Sequence, residues 1–205
     1  VFNRLGALPT RNFQQSTFEG ADQVSGEELH QAHLSRNAHC ANCTIGCEKV
    51  LVTSDNGAKT RGRMEYESLF ALGPLCGVAD PNAVIRAGAM CDRLGMDTIS
   101  SGATIAWAME CFERGLLTLA DTVGIDLRFG NAQGVLDTLD RIGRRQGIGD
   151  LLAEGSRRAA ARLGQGSEAW AMHVKGLEMP GYEPRGLKTM ALGLAVTPRG
   201  ACHNR

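Results

Sequence analysis

The sequence lacks any surplus of charge: twenty-two basic residues are matched by twenty-two acidic ones, and the formal net charge is zero. That absence removes the electrostatic case for nucleic acid or an anionic membrane as the main partner, since both are bound through an excess of Lys and Arg. Long apolar runs are missing too. Gly, Pro or a charged residue interrupts each one well before the roughly 20 residues a membrane span needs, so no span is expected. The opening Val1-Phe2-Asn3-Arg4-Leu5-Gly6 has neither an initiator Met nor the basic-then-apolar order of an export signal. The closing Arg199-Gly200-Ala201-Cys202-His203-Asn204-Arg205 stops inside a motif-like run without a helix cap or polar tail, which leads us to expect a fragment. Nor do the seven cysteines form a disulfide framework. They are odd in number and unevenly spaced, with three inside eight residues, which suits thiolate ligation in a reducing compartment and a cytoplasmic protein.

What is present is mostly helical. With 205 residues there is enough chain for one large domain, or one domain and part of another. Residues 1–24 read as extended or looping chain. Ser25-Gly26-Glu27-Glu28 is a capping box that starts a short helix to about Ser35. Beyond the cysteine cluster, Lys49 to Ser54 leans towards β, and Asp55-Asn56-Gly57 supplies a tight turn, so a hairpin should return towards Met64. Asp80-Pro81 caps a helix that Gly95 stops. A second helix runs from about Ser100 to Arg114, with Ile105, Ala108, Met109 and Phe112 on one apolar face. Asn131 caps a third, from about Gln133 to Arg145, and another is expected from Gly149 or Asp150 to Leu163. After residue 168 the pattern becomes irregular and rich in Gly and Pro. The expected fold is therefore mainly α, with one short β-hairpin after the cysteines: a helical domain over 1–168, then the start of a truncated domain over 169–205.

Cys40-Ala41-Asn42-Cys43-Thr44-Ile45-Gly46-Cys47 reads C-x2-C-x3-C, tight enough to wrap three thiolates around one inorganic core. It differs from the C-x2-C-x2-C ferredoxin run and reverses the C-x3-C-x2-C order of radical enzymes that use adenosylmethionine. Structural zinc is a rival reading, with His39 next to Cys40 as a further donor, although zinc sites more often pair two separated units. Three unliganded core cysteines are the plainest alternative, but a turn-rich segment is poor core material. A cubane needs a fourth ligand. Cys76 lies 29 residues after Cys47, a spacing that resembles the dimethyl sulfoxide reductase family of molybdopterin enzymes; Cys91, Cys111 and Cys202 are also available, though the first two sit in predicted helices.

The segments around the cysteines are more specific than their spacing. Met64-Glu65-Tyr66-Glu67-Ser68-Leu69, Leu72-Gly73-Pro74-Leu75-Cys76-Gly77 and Cys91-Asp92-Arg93-Leu94-Gly95-Met96-Asp97-Thr98-Ile99-Ser100 closely resemble the aldehyde:ferredoxin oxidoreductase family. So do Leu8-Pro9-Thr10-Arg11-Asn12-Phe13, Val174-Lys175-Gly176-Leu177-Glu178-Met179-Pro180 and Arg199-Gly200-Ala201-Cys202-His203, so that the resemblance spans the chain. It implies the second domain and the start of the third domain of a larger multidomain enzyme.

It further implies oxidation of an aldehyde to a carboxylic acid at a tungsten or molybdenum bis-pterin centre. Electrons would pass through a 4Fe-4S cluster on Cys40, Cys43 and Cys47 to ferredoxin or a similar acceptor. The family's fourth cluster cysteine lies in a later D-x-x-G-L-C motif, which would fall beyond Arg205 and remove Cys76 from the ligand set. Asp92-Arg93-Leu94-Gly95-Met96-Asp97 matches the other such motif, with Met for Leu, and implies pterin contacts by Asp92, Gly95, Met96 and Asp97. Glu67 or Glu65, with Glu67 preferred, and His203 match the positions placed beside the metal. An enclosed Glu is suited to proton transfer and a His to polarising a carbonyl. Two other readings stay open: a non-catalytic electron-transfer or structural module using the cluster or zinc alone, and a relative acting on another substrate, such as an aromatic thioester. The sequence has no Glu-x-x-His between the cluster and the next two helices, where some dimers of the family bind a bridging metal. A homo-oligomer is compatible with the sequence but not specified by it.

Overall fold

The computed structural model describes residues 1–55 and 57–203. Ser25 accepts a hydrogen bond from Glu28 N–H and opens α1 (Gly26–His33), as the capping box requires. The chain then does something its sequence does not announce. Leu34–Ala38 leaves the helix as strand β1, which pairs antiparallel with β2 (Glu48–Asp55), and β2 pairs antiparallel with β3 (Ala58–Met64). The expected hairpin is therefore present as β2–β3, within a three-stranded sheet. Asn56 of its expected turn lies outside the described residues. β1 carries Ser35, Arg36 and Asn37, a polar run whose only reason to be extended is its pairing with β2.

The core lies beside this sheet. α2 (Tyr66–Leu72) follows β3 directly; α3 (Pro81–Leu94), capped by Asp80, packs on β3; and α4 (Thr98–Glu113) runs through the centre. The apolar stripe expected on α4 is buried, and so is most of the circumference from Ser101 to Cys111, because α2, α3, α5, α6 and α7 surround it. Its small residues permit that enclosure. A Cβ on Gly102 would stand 2.3 Å from the Ala71 carbonyl oxygen, so glycine is what lets α4 lie against α2.

α5 (Ala132–Arg144) begins at its Asn131 cap as expected. The single helix expected to follow is two: α6 (Ile148–Leu152) and α7 (Ser156–Leu163). Gly155, at φ +82°, breaks the run, and the buried Glu178 carboxylate takes up Ser156 N–H and Oγ–H at 2.9 Å each, replacing the interrupted helical bonds. Glu178 lies in β5 (Leu177–Glu178), which pairs with β4 (His173–Val174). A last helix, α8 (Lys188–Val196), occupies part of the stretch expected to be irregular.

The segment after α7 folds back on the beginning of the chain. Glu183 N–H donates to the Ala7 carbonyl at 3.2 Å, and Arg185 clasps the buried Glu183 carboxylate while donating to the Phe13 carbonyl at 2.7 Å. Residues 181–183 are thereby laid across α2. No described helix is long and apolar enough to cross a membrane.

Candidate active site and cysteine loop

The cysteine loop is closed at its base by the pairing of Ala38 with Glu48, the last residue of β1 and the first of β2. Within it, Cys43 N–H bonds the Cys40 carbonyl at 3.0 Å, Asn42 and Gly46 take positive φ, and the Lys49 ammonium donates to the Gly46 carbonyl at 3.0 Å. Cys40 and Cys47 are exposed and Cys43 is half-buried; all three are free thiols. Among the described residues, no three His, Cys, Asp or Glu side chains are gathered as around a bound metal ion. The donor set nonetheless fits a thiolate-bound cluster: three unoxidised thiols on one stapled loop, open to solvent. The other four cysteines are buried. Cys76 donates to the Ala71 and Gly102 carbonyls, and burial pushes its thiol up to about 12. Burial likewise raises Cys91 to about 12 and Cys111 to about 11. These are core thiols and poor thiolate ligands.

At the N-terminus of α2, two acids two residues apart meet opposite environments. Glu65 is the residue preceding the helix and is exposed. Glu67 is in the first turn and only 3% exposed. Its Oε2 accepts Gly181 N–H at 2.8 Å, and its Oε1 has no hydrogen-bond partner. His203 Nε2 stands 3.5 Å from that oxygen, too long for a hydrogen bond. Burial is the largest influence on Glu67. The Gly181 bond opposes it, the charges of Glu65 and Asp97 add to it, and the carboxyl is pushed up to about 7. Burial lowers His203 from its ordinary value, against an opposing pull from Glu65. Near neutral pH the pair is thus a largely neutral imidazole facing a carboxyl able to take either protonation state, and not an ion pair.

The Asp92–Asp97 run is the corner between α3 and α4. Gly95, left-handed at φ +66°, returns its N–H to the Asp92 carbonyl, and Met96 N–H bonds the Cys91 carbonyl at 2.9 Å, which closes α3. Asp97 then caps α4 by accepting Ser100 N–H at 2.7 Å. Gly95 and Asp97 therefore have a complete structural explanation, whereas the exposed Asp92 carboxylate accepts no hydrogen bond and makes no salt bridge among the described residues. The corner is tied to its neighbours on both sides. Ser68 of α2 and Thr98 of α4 share a 3.0 Å hydrogen bond, and the charge of Asp92 adds to that of Glu48, the main partner of Arg63, in raising the Arg63 guanidinium.

The whole chain, residues 1–205, matches the family model described as aldehyde ferredoxin oxidoreductase, domains 2 and 3. The chain belongs to this family. It is 44% identical over 206 residues to a tungsten-containing aldehyde ferredoxin oxidoreductase of Pyrococcus abyssi, covering 99% of this chain and 33% of that protein. The protein of the same description from Thermococcus kodakarensis is 43% identical, with the same coverage. Among solved structures, the active-site complex BamBC of benzoyl coenzyme A reductase with 1,5-dienoyl-CoA aligns with a TM-score of 0.72 at 25% identity, over 87% of this chain and 27% of that one. The chain thus spans about a third of the length of the curated relatives it matches.

Within this family member, sequence reasoning overlooked an aromatic group at the site. Phe2, Tyr66 and Tyr182 pack with ring centroids 5.1 to 5.8 Å apart, and Tyr182 lies 5.3 Å from the His203 ring. Tyr66 Oη–H donates to the Gly181 carbonyl at 2.5 Å, so Gly181 is held through both its N–H and its C=O. The signal available was that Tyr66 sits between the two candidate acids. A cleft of about 560 Å³ beside Tyr66 and Glu65 reaches Cys47, and another of about 730 Å³, lined by Phe2, Tyr182, Lys188, Cys202 and His203, opens on the other side. The larger groove between α3 and α5, about 890 Å³, holds none of the candidate residues and is walled by arginines and aspartates. Size alone therefore does not locate the site.

Proposed function

We propose that the protein to which this chain belongs oxidises an aldehyde, with water, to a carboxylic acid, releasing two electrons and two protons. The observation that carries this reading is the meeting of Glu67 and His203, whose buried carboxylate keeps one oxygen unpartnered beside an imidazole delivered from the far end of the chain. The bound metal and pterins, tungsten or the molybdenum that suits the same dithiolene ligands, would supply the two-electron redox chemistry, and a 4Fe-4S cluster a one-electron relay to a ferredoxin-type acceptor. Cys40, Cys43 and Cys47 would hold that cluster, with a fourth thiolate from outside this chain. Asp92, with Gly95, Met96 and Asp97 around it, would meet the pterin, its carboxylate accepting from amino and ring N–H groups.

The chain's own residues carry the proton and binding work. Glu67 takes or gives a proton at Oε1, its pKa placed where both forms are populated near neutrality. His203, uncharged, donates to the carbonyl oxygen as negative charge builds there. Phe2, Tyr66 and Tyr182 wall the site with ring surface and keep water from it. In this reading residues 1–168 form the family's second domain and 169–205 open the third, and the protein works in a reducing, cytoplasmic setting.

The test is made on the whole enzyme, by following aldehyde-dependent reduction of a viologen dye. Glu67→Gln should lower kcat by about 10²- to 10³-fold, while Glu65→Gln stays within about threefold. The reverse pattern would reassign the proton-handling residue. Zinc alone on metal analysis, without tungsten, molybdenum or iron, would replace the enzyme by a structural module.

A further inference from the structure

The outer face of the three-stranded sheet is chemically unlike the rest of the molecule. Register places Arg36 and Arg63 on either side of Val50, Arg61 beside Val52 and Lys59 beside Ser54, so four cations share one face. All four are exposed, while Gly62 and Met64, which alternate with them on β3, are buried against α3. The acids nearby are Glu48, ion-paired with Arg63, and Asp92, also close to Arg63; Asp55, at the end of β2, is held by Arg86 of α3. Among the described residues, Arg36, Lys59 and Arg61 make no salt bridge. In a chain of zero net charge, this is a concentrated positive face.

That face runs into the cysteine loop, because β1 ends and β2 begins at the loop's base. Between Cys43 and Cys47 the loop presents Ile45, an apolar side chain that is 80% exposed in this chain and packs on none of its core. An apolar contact at the redox loop with a charged field beside it is the pattern of weak electron-transfer encounters. Their interfaces are small, and electrostatic complementarity does the steering.

We propose that this face, Arg36, Lys59 and Arg61 together with Ile45 of the loop, docks a small acidic electron-carrier protein. The proposal rests on the reading of the loop as a cluster site and adds where the electrons leave. A carrier with a negative surface would be oriented by the three cations and brought to rest against Ile45, with its redox centre next to the cysteine loop. Opposite charges predict binding that weakens steeply as salt is added.

The experiment uses the whole, cofactor-loaded enzyme and an acidic 4Fe-4S ferredoxin as probe, with the double variant Lys59→Glu/Arg61→Glu and its milder counterpart Lys59→Gln/Arg61→Gln. Ferredoxin binding is measured directly by surface plasmon resonance across a salt series, and turnover with ferredoxin is compared with turnover using methyl viologen. We expect the reversed variant to bind ferredoxin at least tenfold more weakly and to lose most of the salt dependence. The neutral variant should lie between, and viologen turnover should be unchanged in both. Unchanged ferredoxin affinity in the reversed variant overturns the docking proposal and leaves the catalytic reading intact. Normal, charge-dependent ferredoxin binding by an enzyme that oxidises no aldehyde would uphold the docking surface and overturn the catalytic reading. Tight, charge-dependent capture of a single-stranded oligonucleotide with no ferredoxin binding would overturn the proposal in favour of a nucleic-acid surface.

Discussion

At the scale of single residues, the site is a contrast between two nearly adjacent carboxylates. Glu65 keeps its water and Glu67 loses it, and burial is the main reason Glu67 titrates near 7 rather than at its ordinary value of 4.5. The sign of the stability effect follows. Between these values the folded state holds a proton that the unfolded chain has released, so the stability from this group is present below about 4.5 and lost as pH rises through about 7. The full swing is on the order of 3 kcal/mol. Glu67→Gln should therefore gain stability relative to the unsubstituted protein as pH is raised from 5 to 8, and parallel denaturation midpoints over that range would refute the assignment. Asp97 adds its charge to Glu67 while capping α4. Asp97→Asn keeps a capping oxygen and removes the charge, so it should move the Glu67 titration to lower pH with little loss of helix stability; a carboxyl resonance followed by NMR reads the shift directly.

At the scale of elements, what positions the site is the approach of α2 to α4 and the strap from Gly181 to Glu183 laid over α2. The first depends on Gly102, where an added Cβ would meet the Ala71 backbone rather than a side chain able to move. Gly102→Ala should cost about 3 kcal/mol in chemical denaturation, at the upper end for overpacking, because the backbone of α2 must shift. Gly193 offers the contrast: in α8 an added methyl group would meet nothing within 4 Å, so Gly193→Ala should raise stability by about 0.5–1 kcal/mol. Equal effects at the two sites would mean that helix propensity, not contact, governs both. The break between α6 and α7 belongs to the same scale. Its helical pattern reads through Gly155 without interruption, and the Glu178 carboxylate, brought back by β5, satisfies the buried Ser156 N–H that the break leaves without a helical partner.

At the scale of the whole molecule, the chain is about a third of the proteins it resembles, and its seven cysteines divide into a surface loop of three and a buried set of four. That division makes a prediction for the full-length protein. On the proposed reading of the loop as a cluster site, Cys40→Ser, Cys43→Ser or Cys47→Ser should each remove most of the iron, about four atoms per chain, and the visible absorption that goes with it. Cys76→Ala should keep the iron and lose about 1 kcal/mol of stability as a small cavity opens. Loss of iron in the Cys76 variant at undiminished stability would return Cys76 to the ligand set.

The sequence by itself determined what depends on neighbours along the chain. The caps at Ser25, Asp80 and Asn131, the stop at Gly95, the β2–β3 hairpin and the clustering of Cys40, Cys43 and Cys47 all follow from residues within a few positions of one another. Tertiary structure alone decided what depends on partners far away. β1 is a strand because β2 lies beside it, α4 is buried all round because five helices enclose it, and α8 forms in a stretch with no helical punctuation. The choice between Glu65 and Glu67 is of the same kind. The two acids are chemically identical and two residues apart, and what separates them is that the fold buries Glu67, with Gly181 and His203 brought to its carboxylate, and leaves Glu65 in solvent, which no local pattern encodes.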